Sequence, residues 1–302
     1  SLLDSSKQAL LPASFALISQ LQNKISKNIP ESEISNLNRS AGLSPVVLSE
    51  PVFQLLTIAQ KYSILSEGMF DVTIDPVVEL WGIGTDHAAV PSRDKLEHAV
   101  SLVDYCKVVL DSDKSSVFLP EKELAVDLGG IAKGYIADRV KDFLVSSGAG
   151  AGIIDLGGNI LVFGKKPDGS DFRIGIQDPF GGRGSAIGVV TMAEGSVVTS
   201  GIYERFFEQD GKRYHHIFDV RTGFPVENNL SGVTIVTMES AAGDALSTAV
   251  FALGLEKGMA LVEKTDGAEA ICITKDKEVY ISSGLKDRFT LTDRNFTMRG
   301  AF

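Results

Sequence analysis

The 302-residue sequence is poor in several features that would place it in a large protein class. It has two cysteines, Cys106 and Cys272, far apart in the chain, so neither a disulfide framework nor a cysteine-rich metal motif is present. Both stand in apolar, strand-like surroundings and read as buried free thiols, with a single disulfide left open because spacing does not decide pairing. Positive charge is in the minority. The 29 Lys and Arg residues against 39 Asp and Glu leave a net charge of −10, which argues against nucleic acid as the main partner. An acidic chain can still take a polyphosphate when a metal ion reconciles the charges. No run of about 18 apolar residues occurs, so no transmembrane helix is expected. Repeats, low-complexity tracts and a clear linker are also missing. The sequence opens at Ser1 with neither a leader nor an initiator Met, and reads as the mature or trimmed part of a longer precursor.

What is there is ordinary globular material: 44% hydrophobic and 23% charged residues, in a chain long enough for a large core without staples. Apolar residues at helical spacing (Leu10, Phe15, Ile18, Leu21, Ile25) predict a helix over 7–26, interrupted near Pro12. A loop and a short helical turn follow at 28–34. Ser49 and Pro51 predict the start of a helix that runs to about Ser66 and stops at Gly68. Another short helix is expected over 93–103 and a hairpin around Asp111-Ser112-Asp113. From 160 to 236 the pattern is mainly β, with segments that include 203–208 and 214–218 around the Asp210-Gly211 turn. Helices at 241–252 and 255–264 come next, and strands at 269–273 and 278–282 close the domain. Strands and helices do not alternate, so the fold class is α+β, with mixed antiparallel sheets flanked by helices. The chain is read as one domain over 1–302, with a helical part at about 1–105 and a β-rich part at about 106–302.

Four stretches could carry chemistry. Asp127-Leu128-Gly129-Gly130-Ile131-Ala132-Lys133 reads as a strand end, a glycine turn and the start of a helix over 130–147. Glycine lets a ligand approach, a helix N-terminus suits phosphate, and Lys133 adds a full charge. The plain alternative is a turn with a solvent lysine. In Ser240-Ala241-Ala242-Gly243-Asp244-Ala245-Leu246-Ser247-Thr248, Asp244 and Thr248 are four residues apart and share a helix face. A carboxylate and a hydroxyl are hard oxygen ligands that suit Mg²⁺ better than Zn²⁺. The alternative is an Asp serving the helix dipole and a Thr bonded to the preceding turn. Two of the four histidines, His215 and His216, are adjacent. On a strand such neighbours face opposite sides, so one of them as acid, base or phosphate contact is a better reading than a two-ligand metal site. Arg221 either pairs with Asp219 or faces solvent. Finally, Asp71, Thr73 and Asp75 lie close to Trp81, where the alternative is a capped loop with a packed Trp.

Taken together these stretches are far more specific. Asp-Leu-Gly-Gly-Ile-Ala-Lys-Gly-Tyr, Leu-Gly-Gly-Asn-Ile, Thr-Ser-Gly-Ile-Tyr-Glu-Arg-Phe-Phe, Tyr-His-His-Ile-Phe-Asp-Val-Arg-Thr-Gly and Gly-Asp-Ala-Leu-Ser-Thr-Ala occur in that order. Ser32-Glu33-Ile34-Ser35-Asn36-Leu37-Asn38 and Gly68-Met69-Phe70-Asp71-Val72-Thr73 precede them. From about residue 15 to 290 the chain resembles the ApbE family of FAD:protein FMN transferases. That resemblance implies a T-fold-related α+β architecture. It also implies transfer of the FMN half of FAD, with Mg²⁺, to a threonine hydroxyl of an acceptor protein, with release of AMP. Acceptors in the family are typically redox-pump subunits and related flavoproteins. Carried over by motif, the metal would be held by the Gly130 carbonyl, Asp244 and Thr248. Lys133, Asn28, Asp71, Ser200, His216 and Ile217 would contact FAD, with His216 and Asp244 in the catalytic roles.

The resemblance further implies a periplasmic or other extracytoplasmic location, with a lipid-anchored precursor. Two departures stand out. Members commonly begin with a strand carrying Met-Gly-Thr, and no such motif precedes Leu10. Many carry a tyrosine where this chain has Asn28, which leaves the flavin mouth more open to water. That keeps a second activity in view, Mg²⁺-dependent hydrolysis of FAD to FMN and AMP at the same site.

Overall fold

The computed structural model describes residues 1–302, apart from the side chain of Ala301. A 3-10 turn at Ser5–Leu10 passes into α1 (Leu11–Ile25), with Pro12 in the first helical turn, where its missing N–H costs nothing. There follow α2 (Glu33–Arg39), β1 (Val46–Val47) and α3 (Glu50–Leu65). A 3-10 turn at Val72–Ile74 leads into α4 (Asp75–Trp81). Then come α5 (Arg93–Leu102), a 3-10 turn at Tyr105–Lys107, β2 (Val109–Asp111) and β3 (Ser116–Phe118). The middle of the chain holds α6 (Ala132–Ser146), β4 (Gly152–Asp155), β5 (Asn159–Phe163), β6 (Phe172–Gln177), β7 (Ala186–Met192) and β8 (Gly195–Gly201). The hairpin β9 (Phe206–Gln209) and β10 (Lys212–His215) precedes β11 (Leu230–Thr237), α7 (Ser240–Leu253) and α8 (Leu255–Glu263). The last strands are β12 (Glu269–Thr274), β13 (Glu278–Ile281), β14 (Phe289–Leu291) and β15 (Thr297–Ala301).

The chain divides into two compact units. The first comprises Ser1–Ile18, Lys133–Tyr203 and Asn228–Phe302, and the second Ser19–Ala132 and Glu204–Glu227. The first unit is built on a seven-stranded sheet of order β15-β13-β12-β11-β8-β5-β4, antiparallel except for the parallel β13–β15 pair. A three-stranded sheet, β14-β7-β6, shares with it a core that includes Phe172, Ile176, Val190, Val236, Ile271 and Leu285. Helix α7 lies against β8 and β11. Every residue of β11 is buried, as expected of a central strand covered on both faces. Small residues let α7 come close: a Cβ at Gly243 would stand 2.9 Å from Val198 Cγ2.

The second unit contains α2 to α5, the three-stranded sheet β1-β3-β2 and the β9–β10 hairpin. Trp81 is its centre. The indole is fully buried, donates to the Gly223 carbonyl (2.7 Å), and meets the rings of Phe207, Tyr214, Phe218 and Phe224 at centroid distances of 5.3–6.2 Å.

The α+β class with helix-flanked mixed sheets holds, and five details differ from expectation. Strands β14 and β15 follow the pair that was read as closing the domain; each is short and lacks alternation, so pairing rather than pattern defines it. Residues 1–3 do pair with β4, through the Leu2–Gly152 bridge, although no strand motif is legible there. β9 begins only at Phe206, after the predicted start at 203, and β10 ends at His215, before the predicted end at 218. Cys106 lies exposed in a 3-10 turn and not in a buried strand. Cys272, as expected, is buried and free, and burial pushes its thiol up to about 12.

Candidate functional site

In the first unit the site is assembled where α6 meets α7. Gly134 is required there, because a Cβ would lie 2.2 Å from the Ser240 carbonyl oxygen. Asp138, one helical turn on, accepts from the Ser240 and Ala241 N–H groups (2.8 and 2.9 Å), capping the start of α7 from outside the helix. Burial holds the Asp138 carboxyl above its ordinary range, and those two N–H groups oppose the shift. The cap fixes the helix that carries Asp244.

The Asp244 side chain is 4% exposed. Its Oδ2 accepts the Gly134 N–H (3.0 Å), and its two oxygens lie 3.1 and 3.5 Å from Lys133 Nζ. Thr248 lies on the same face, as its spacing predicts, and its hydroxyl only reaches the Asp244 carbonyl at 3.5 Å, the weak end of a hydrogen bond. Ser247 donates to that carbonyl at 2.9 Å and also lies 2.8 Å from Ser200 Oγ on β8. Since the Ser247 proton is committed, Ser200 is the donor in that pair. The structure therefore brings Lys133, Asp244, Thr248 and Ser200 together.

In the second unit, the turn before α6 is shaped by Asp127, whose Oδ1 accepts the Gly129 N–H (2.6 Å). Gly129 does not need a left-handed φ; it needs room, since a Cβ would lie 3.0 Å from Asp127 Oδ1. Gly130 follows, half-buried. Asp71 is committed inside the protein: it accepts from the Thr73 N–H and hydroxyl (2.8 and 2.7 Å) and from the Tyr105 N–H (2.9 Å). Burial raises its carboxyl despite these bonds. Asn28 is exposed on its loop, and its N–H contacts Ser26 Oγ at 3.3 Å.

The adjacent histidines are sharply different. His215 is buried and its ring is locked in one tautomer: Nε2 donates to the Val226 carbonyl (3.1 Å) and Nδ1 accepts the Ile217 N–H (3.3 Å). His216, just beyond the ladder, is half-buried, and its Nδ1 donates to the Arg205 carbonyl (3.1 Å). A carbonyl only accepts, so Nδ1 carries the proton and Nε2 is the basic nitrogen of the neutral ring. Ile217 is 3% exposed, gives its N–H to His215 and its carbonyl to Val226, and so is placed as a packed residue of the hairpin. Arg221 pairs with Asp219 (2.7 and 2.9 Å) and draws its carboxyl below the usual range.

The residues missed by the sequence reading are Asp138, Lys27 and Glu79; Lys27 contacts Asp75, Glu79 and Asp127. An Asp two residues before a turn glycine is an Asx-turn signal, and Asp127 could have been singled out on that ground. Among the described residues no group of three His, Cys, Asp or Glu is arranged to hold a metal. Mg²⁺ does not need one, since it takes few protein oxygens and keeps phosphate or water for the rest. A buried carboxylate already faced by an ammonium, with a weakly engaged hydroxyl beside it, is a donor set that fits a hard divalent cation.

An α+β protein with this helix-junction carboxylate and glycine turn has clear relatives. Residues 3–272 match the ApbE family, and the chain belongs to it. It is 40% identical to the FAD:protein FMN transferase of Klebsiella pneumoniae (strain 342), over 97% of this chain and 90% of that one. It is 38% identical to the FAD:protein FMN transferase of Treponema pallidum (strain Nichols), over 96% of this chain and 84% of that one. Among solved structures, the ApbE protein of Thermotoga maritima superposes with a TM-score of 0.87 at 30% identity, covering 93% of this chain and 91% of the other. The flavin transferase ApbE of Vibrio cholerae gives 0.82 at 28% identity, covering 95% and 92%.

Proposed function

We propose that this chain is a flavin transferase that takes FAD as substrate and passes its FMN moiety to a threonine hydroxyl of an acceptor protein, releasing AMP. The observation that carries the reading is Asp244: a buried carboxylate held at a helix junction by an ammonium and a backbone N–H, in a chain 40% identical to an enzyme of that name over 90% of its length. Asp244, Thr248 and the Gly130 carbonyl are the residues that would hold Mg²⁺, which when bound would offset charge on the pyrophosphate and on the leaving AMP. Lys133 and Ser200 would bind and orient the nucleotide. His216 would take the threonine proton at Nε2 as the hydroxyl oxygen bonds to the FMN phosphorus and the bond to the AMP phosphate breaks.

The exposed Asn28 supports a second activity on the same residues, attack by water to give free FMN and AMP. Incubation with FAD and Mg²⁺ separates the two. FMN found covalently on an added acceptor with a threonine flavinylation motif, and slow AMP release without it, is the expected result. Fast release of free FMN and AMP with no labelling would assign the chain as a hydrolase. FAD left intact in both arms would sink the reading. We further place the acceptor among redox-pump subunits outside the cytoplasm, met by a lipid-anchored precursor of this chain; family resemblance alone supports that step. Among the described residues no helix is long and apolar enough to cross a membrane.

A further inference from the structure

Lys27 precedes the exposed Asn28 and turns the other way. Its side chain is 12% exposed, and its ammonium bonds the Asp75 carboxylate, lies 2.6 Å from Glu79 Oε1 and 3.4 Å from Asp127 Oδ2. Asp75 and Asp127 are themselves little exposed, at 10% and 18%, whereas Glu79 reaches solvent. One ammonium thus joins the loop after α1, the start of α4 and the residue that opens the glycine turn. Asp127 uses its other oxygen on the Gly129 N–H (2.6 Å), and its own N–H on the Val72 carbonyl (2.8 Å). Asn38 clamps Val126 through both backbone groups (2.9 and 3.0 Å). The backbone entering the turn is therefore fixed by hydrogen bonds, and the charge of Asp127 by Lys27. Without the ammonium, the Asp75 and Asp127 carboxylates would face each other with little water to screen them, and Asp127 can relieve the repulsion by swinging away from Gly129.

We propose that Lys27 is a positioning residue for the glycine turn: by tying Asp127 to Asp75 it holds Asp127 on the Gly129 N–H, and so sets the Gly130 carbonyl that follows. The step rests on the reading above only in giving Gly130 a task at the metal.

Two measurements on the full chain test it. The first is amide exchange of Gly129 in the protein without FAD or metal. The second is the Mg²⁺ concentration that half-saturates FAD turnover. Lys27→Met should speed Gly129 exchange by about tenfold and raise the Mg²⁺ requirement by about as much, with KM for FAD moving less. Lys27→Arg, which keeps the charge, should stay within about threefold of wild type in both. Lys27→Met leaves three acids without their cation, two of them little exposed, so the double variant Lys27→Met/Asp75→Leu serves if the single one does not fold, and it too should exchange Gly129 fast. Wild-type exchange in whichever Met variant folds would overturn the proposal, as would Lys27→Arg behaving like Lys27→Met. If the wild type shows no Mg²⁺-dependent FAD turnover, the functional reading falls, and the exchange arm still decides whether Lys27 sets the turn.

Discussion

Lys133 and Lys27 both reach a buried aspartate, and the two contacts are built in opposite ways. Lys133 is 43% exposed and meets one acid, Asp244, which is also held by a backbone N–H. The carboxylate stays in place if the ammonium leaves, and the ammonium has solvent to move into. Lys27 is 12% exposed and meets three acids. It has nowhere to go, and its carboxylates repel one another if it does. The first is an exchangeable contact, which suits a cation or phosphate arriving from outside. The second is a fixed one, which suits a brace. Burial alone does not distinguish them; the number of acids per ammonium and the route to water do.

Asp244→Ala should have the largest effect. If the exchangeable pair is where the cation binds, Mg²⁺-dependent loss of FAD falls by about a thousandfold or more. Assays of AMP release at fixed FAD and rising Mg²⁺ check this. Turnover within tenfold of wild type would mean that the exposed lysine merely neutralises a buried acid.

The histidines extend the same contrast, one fixed and one presented. His216→Gln should lower turnover per folded molecule by about a hundredfold. His215→Gln should act mainly on stability, costing about 1–3 kcal/mol, because a buried carbonyl and N–H lose well-placed partners. Denaturation curves beside rate constants separate the two. A rate loss that follows His215 and spares His216 would reverse the assignment.

The fixed cluster has its own signature in pH. Burial is the main influence on Asp75 and raises its carboxyl from 3.8 to about 6, against the pull of Lys27 and with Asp127 and Glu79 adding to the rise. Lys27, flanked by these acids, keeps its proton beyond the ordinary lysine range. Between pH 4 and 6 folded Asp75 holds a proton that the unfolded chain has released, so its contribution to stability declines as pH rises and levels off above that window. Asp75→Asn removes the decline, and relative to wild type should gain about 2 kcal/mol from pH 4 to 7. Urea denaturation across that range measures it, and a flat difference would show that Asp75 is paired rather than crowded.

What the sequence shows and hides follows the same division. Asp244, Thr248, Lys133 and the Gly129-Gly130 turn are legible because their neighbours are local: a four-residue helical spacing, or a turn and the helix it opens. The missing tyrosine at Asn28 is legible only through the resemblance to the family. Lys27 and Asp75 are 48 residues apart, and nothing in the sequence around a lysine that follows a helix says it turns inward. Asp138 is hidden similarly, since its partners are the first N–H groups of a helix about a hundred residues on. β14 and β15 are invisible because short strands at the margin of a sheet owe their form to the strand beside them, not to their own pattern. The paired histidines were half-legible. Strand alternation separates them, but the ladder ends at His215, so it is the hairpin's exit that sets His216 apart.

The smallest predicted effect separates exchange from support most directly. If Lys133 merely occupies the Asp244 carboxylate until a metal arrives, the two cations compete, and removing the ammonium helps the metal. Lys133→Met should then lower the Mg²⁺ concentration for half-maximal turnover by about threefold, the scale expected of a partly solvated ion pair. KM for FAD should rise at the same time if Lys133 also contacts the nucleotide as proposed. Mg²⁺ titrations at several FAD concentrations resolve the two. A higher Mg²⁺ requirement in Lys133→Met would mean that the ammonium holds Asp244 in place for the metal. Lys133 would then be a brace like Lys27, and the distinction between the two contacts would fail.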